Sequence, residues 1–160
     1  MARPLGPVLT FGLLALACGA PAQHREAVAE MLLVAWDEER LTPSDLLAAW
    51  QSPWWDADWG HGLKPRTHST AGAVATLDMV ARAGGLALVW PLLTAIAEEL
   101  AGADRLPAAT SDVLKTVLEL LAEVRAAGVS VELPNVTALA ARGGSSGAVR
   151  AARLVVSRLT

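Results

Sequence analysis

Alanine and leucine carry most of the apolar content of this sequence, with valine in support, one isoleucine, one phenylalanine and no tyrosine. Ala and Leu lead the helix-propensity scale, whereas Tyr, Phe and Ile, which favour pleated strands, are nearly missing. An all-α chain is therefore expected. With 53% hydrophobic composition over 160 residues, it can bury one sizeable core without help from metals or disulfides, and a single helical domain over 1–160 is expected.

Caps and apolar spacing divide the chain into helices. Leu9, Leu13, Leu16 and Ala20 recur at helical spacing and Gly19-Ala20-Pro21 supplies a stop. Gln23 to Arg40 reads as a second helix with Val28, Met31, Leu32, Ala35 and Trp36 on one face. At the next start, Thr42 is a natural N-cap, Pro43 suits the first helical position and Asp45 sits where a capping-box acid belongs. An irregular, tryptophan-rich loop follows at about 52–67, and helical patterning resumes near Ser69 and halts at Gly84-Gly85. Leu86 to Leu100 forms the next helix, in which Pro91 either kinks the chain or marks the true first turn. Thr110 or Ser111 caps the most regular helix, whose stripe is Val113, Leu114, Val117, Leu118, Leu121 and Val124. Val129 to Leu133 is too short and isolated to form a sheet and is read as an extended connector. Two last helices are expected at about 135–141 and 146–159. Short turns between helices imply antiparallel hairpins, arranged as a short HEAT-like α-solenoid or, alternatively, a compact helical bundle.

The runs GPVLTFGLLALA (6–17), AGGLALVWPLL (83–93) and LPNVTALAARGGSS (133–146) resemble the C-terminal end of a family of large bacterial proteins with HEAT-like repeats and unknown function. The resemblance implies a cytoplasmic helical scaffold and no catalytic residues. It also implies an alternative in which the chain is a truncated fragment of a longer repeat protein.

The densest local feature lies between Trp50 and His61, where four of the six tryptophans fall within ten residues. Tryptophan combines large contact area with one donor and dominates binding hot spots. The candidate partner surface is thus Trp54, Trp55, Asp56, Asp58, Trp59 and His61; the bland alternative is that the indoles anchor the loop to the helices. Asp56, Asp58, His61 and His68 offer oxygen and nitrogen ligands, but their spacing is not diagnostic, so no metal and no cofactor are expected. Arg150 and Arg153 share a helix face and form a secondary basic patch. Gly143 to Gly147 with Arg150 nearby could cradle a phosphate, although an interhelical turn with an N-cap explains the same residues. Cys18, within an apolar run, reads as a buried small hydrophobe.

No nucleophile elbow, zinc-protease motif, phosphate-binding loop or dinucleotide fingerprint occurs, so no enzyme is expected. A formal charge of −3 offers no general basic surface, so no specific nucleic acid is expected. Residues 1–22 imitate a secretory signal, with Arg3, an apolar run from Val8 to Cys18 and Ala20-Pro21-Ala22. They are nonetheless expected to form the first helix, their apolar run being too short for a membrane span. The expectation is a non-catalytic, cytoplasmic protein-interaction scaffold of unknown partner. Its alternatives are a secreted helical protein lacking residues 1–22 and a metal-dependent enzyme built on the 56–68 loop. Repeat stacks need polar end faces, so the apolar first helix also predicts self-association through an uncapped edge.

Overall fold

The computed structural model describes residues 3–19, 21–56, 65–103, 108–124, 132–142, 144 and 146–159. Among the described residues the regular structure is entirely helical, as the Ala- and Leu-rich composition requires. The chain groups into two compact units, Met1–Leu92 and Leu93–Thr160.

Unit 1 is built around α1 (Gly6–Gly19), which buries Thr10, Phe11, Leu14, Ala17 and Cys18 and packs on α2 (Ala22–Asp37), α3 (Pro43–Trp50) and α4 (Pro65–Val80). Thr10 disposes of its buried hydroxyl by donating to the Gly6 carbonyl at 2.8 Å. The α1–α4 crossing is close enough to need a glycine. A Cβ at Gly72 would stand 2.8 Å from the Cys18 carbonyl oxygen and 2.9 Å from that of Ala17.

The second helix, α2, ends sooner than the expected Arg40. Glu39 adopts a left-handed φ of 60°, and the Arg40 amide donates back to the Ala35 carbonyl at 2.8 Å, closing the helix end. The capping box forms as its sequence spelled it: the Asp45 amide donates to the Thr42 hydroxyl at 3.1 Å, and the Thr42 amide to Asp45 Oδ2 at 3.0 Å. The irregular stretch is shorter than expected. A 3₁₀ turn occupies Pro53–Asp56, and α4 already begins at Pro65, because proline suits a first helical position as well as it punctuates a loop.

After α4 one wide turn, Ala81–Gly85, leads into α5 (Leu86–Ala101). Gly84, at φ 99°, breaks the helical path where a C-terminal cap was expected. Pro91 lies inside α5 and does not open it. By length and composition, Thr70–Ala101 is long and apolar enough to cross a membrane, with 56% of its apolar window buried. The break at Gly84 leaves α4 and α5 at 16 residues each, short of the roughly 20 that a span needs.

Unit 2 takes the rest of α5 with α6 (Ala108–Val124), α7 (Pro134–Ala140) and α8 (Gly147–Leu159). Leu114, Val117, Leu118 and Leu121 form the buried stripe of α6 as expected, and α6 and α7 both pack on α8. Since α6 begins at Ala108, Thr110 and Ser111 lie in its first turn and do not precede it. Within α8, Ser146 acts as the N-cap, its hydroxyl accepting from the Val149 amide at 3.2 Å. This core contains no Phe, Tyr or Trp, since every aromatic of that kind lies at or before residue 90.

Candidate functional site

The tryptophan segment divides into an anchor and a rim. Ser52 accepts the Trp54 amide on its hydroxyl at 3.2 Å, and its carbonyl receives the Trp55 amide at 3.4 Å. The resulting turn swings Trp55 inward until it is 1% exposed. Its indole Nε1 donates to the Ala49 carbonyl at 2.8 Å, at the C-terminal end of α3. Its ring lies 4.6 Å from that of Phe11 and 5.6 Å from that of Trp50, centroid to centroid. Trp55 is therefore core, with its one polar atom satisfied.

Trp54 meets Phe11 edge-on at 5.4 Å and stays 40% exposed. It borders a cleft of about 620 Å³ shared with Pro4, Pro7, Asp45 and Pro53. The remaining expected contacts, Asp58, Trp59 and His61, lie outside the described residues, as do the side chains of Asp56 and His68. Among the described residues no three His, Cys, Asp or Glu side chains gather as a metal would require.

The basic patch also separates. Arg153 donates through Nε to the Ala140 carbonyl at 3.1 Å and through Nη2 to that of Arg142 at 2.8 Å, tying the end of α7 to α8. Arg158 does the same for α6, donating to the Ala122 carbonyl at 3.1 Å. These guanidiniums satisfy carbonyls that a helix end leaves unpaired. Arg150 is exposed on α8.

A different surface stands out on the α1–α2 hairpin. Val8, Leu9, Leu16, Met31 and Val34 are between 47% and 69% exposed, and all five line one groove of about 920 Å³. Gly12 opens its centre, since a Cβ there would meet nothing within 4 Å. Glu30 and Arg40 are the charged residues of its lining. Two hydrogen bonds tie the Arg40 end to the residues before α1: the Leu5 amide donates to the Arg40 carbonyl at 3.0 Å, and Arg40 Nε donates to the Arg3 carbonyl at 3.0 Å. Cys18, by contrast, is buried on the inner side of α1.

The face expected for α2 is the inward one at Val28, Leu32 and Ala35, and Met31 alone of its five residues is exposed. On α1, Leu9 and Leu16, which recur at helical spacing, face outward. The signal that was present is the all-round apolarity of α1, whose segment carries no charge. Such a helix calls for cover on every side.

The groove lining contains no histidine, cysteine or serine. What this arrangement can do is bury another apolar surface. Against known proteins, the chain matches no family model, no curated protein and no solved structure.

Proposed function

We propose that this chain is a non-catalytic protein-binding scaffold that receives an apolar helical face in the groove between α1 and α2. The observation that carries the reading is the convergence of Val8, Leu9, Leu16, Met31 and Val34 on one groove. Scattered exposed apolar residues are ordinary, whereas several that converge on one concave surface call for cover. The helix-in-groove mode suits an apolar trough between two helices.

The energetics constrain the occupant. Fully burying a large aliphatic side chain is worth about 1.5–3 kcal/mol, so five at half exposure supply roughly 4–7 kcal/mol from this side. Association itself costs about 4–15 kcal/mol. A polar partner would not bind; the occupant has to bring an apolar face of its own.

Our reading of the architecture remains a HEAT-like stack of hairpins, supported by the packing of sequential pairs α1–α2 and α7–α8. The contacts of α1 with both α3 and α4 favour the compact bundle as its alternative within unit 1.

The test places a photo-crosslinking amino acid at Leu9 or Leu16 in the native cell, with Arg150, exposed on α8, as the control position. Protein adducts from the two groove positions and none from the control are expected. A chain that crosslinks nowhere, or equally from Arg150, refutes the groove as a binding surface.

A further inference from the structure

We infer that Met31 makes the α1–α2 groove sensitive to peroxide: oxidation of its thioether to the sulfoxide closes the groove to an apolar helical face. This rests on the groove being a binding surface and adds a chemical condition under which it is one.

Five apolar side chains stand open along the groove, and four of them, Val8, Leu9, Leu16 and Val34, are saturated hydrocarbon that a peroxide leaves untouched. Met31, 53% exposed, is the fifth. A small oxidant reaches it from solvent without any unfolding, in contrast to Cys18, whose thiol is buried on the inner side of α1. The reaction balances with a hydroperoxide alone. A sulfur lone pair attacks the outer peroxide oxygen, the O–O bond breaks, and the other oxygen leaves as water or an alcohol; sulfur loses two electrons and the peroxide gains them.

The product sets a dipolar S–O group, a hydrogen-bond acceptor, where a soft apolar atom stood. The charged residues of the lining do little to satisfy it. Glu30, beside Met31 in the chain, carries a carboxylate and is itself an acceptor. Arg40 lies beyond the end of α2 with its Nε donating to the Arg3 carbonyl at 3.0 Å and its Nη1 3.5 Å from Glu38 Oε2. An apolar face laid over Met31 would thus bury the sulfoxide oxygen without a donor, which weakens binding by about tenfold. Met79, 39% exposed on α4, lies outside the groove lining and is an internal control for the same chemistry.

For the test, the purified full chain with a photo-crosslinking amino acid at Leu9 is treated with dilute hydrogen peroxide, freed of oxidant and returned to an extract of its native cell. Peptide mass spectrometry should find an added oxygen at Met31, and the yield of protein adduct should fall about tenfold with unchanged circular dichroism. Met31→Leu, of similar volume and without the sulfur, should keep the adduct and lose the response to peroxide. Met79→Leu should respond as the wild-type chain does. Met31→Gln, whose amide is polar as the sulfoxide is, should lower the yield with no oxidant added.

A Met31 that stays unoxidised while Met79 takes up oxygen overturns the inference, as does an adduct yield that survives oxidation of Met31 or falls equally in Met31→Leu. A full yield from Met31→Gln counts against it in the same way. In each of these cases the groove remains a binding surface. An untreated chain that gives no adduct removes the groove reading and this inference together.

Discussion

Trp55 and Gly72 show how much of unit 1 depends on single side chains. Trp55 supplies both volume between Phe11 and Trp50 and a hydrogen bond to the Ala49 carbonyl. Trp55→Phe removes the donor and part of the ring, and is expected to cost about 2–3 kcal/mol. Trp54→Ala, at the exposed rim, should cost less than about 1.5 kcal/mol, and urea unfolding of the two variants measures the difference. The mid-helix glycines Gly12 and Gly72 make a matched pair. Gly12→Ala adds a methyl to open space and should stabilise by about 0.5–1 kcal/mol, the usual gain of Ala over Gly in a helix. Gly72→Ala drives its methyl against two backbone carbonyls of α1 and should destabilise by about 1–3 kcal/mol. The density of tryptophan between Trp50 and Trp59 was legible as something needing a reason. Which indole turns inward was not, because that depends on the Ser52 turn and on Phe11, about forty positions away in sequence.

At the scale of elements, several starts and stops were legible where the capping group is local. Thr42, Pro43 and Asp45 fixed the start of α3, Gly84 the break before α5, and Ser146 the start of α8. They were illegible where the partner is distant. Arg153 was read as part of a binding patch, yet its guanidinium holds the Ala140 and Arg142 carbonyls. Nothing in the spacing of α8 reveals that, since the carbonyls belong to another helix. Arg153→Ala should therefore lower stability by about 0.5–1.5 kcal/mol, since water can take up part of the lost bonding at these exposed carbonyls. Arg150→Ala, on the exposed part of the same helix, should shift it by less than about 0.5 kcal/mol. Comparable losses from the two substitutions would remove the distinction drawn between them. The facing of α1 was illegible for another reason: a helix apolar on every side has no polar flank from which to infer an outside.

The whole molecule carries an unusual internal label. All six tryptophans lie in the sequence of unit 1, and unit 2 contains none. Tryptophan fluorescence therefore follows unit 1, while far-ultraviolet circular dichroism follows the helices of both. A substitution confined to unit 2 can be read against that background, and Glu98 is the natural choice. The short helix α7 has no side-chain cap of its own at Leu133. Its first amides are satisfied from α5, where Glu98 accepts from Asn135 N at 3.0 Å and from Val136 N at 2.9 Å. The Asn135 side chain returns a bond to the Glu98 carbonyl at 3.0 Å, so the contact is reciprocal. A carboxylate at a helix N-terminus pairs two orphan donors and also meets the positive end of the helix dipole. Since the site is partly solvated, its loss in Glu98→Ala is expected to cost about 1–2 kcal/mol. The circular-dichroism midpoint in urea should fall, and the fluorescence midpoint should move less, because the broken contact lies wholly within Leu93–Thr160. Equal shifts in both signals would instead mean that the two units unfold as one cooperative body, in which case a contact made near the C-terminus is felt at every tryptophan.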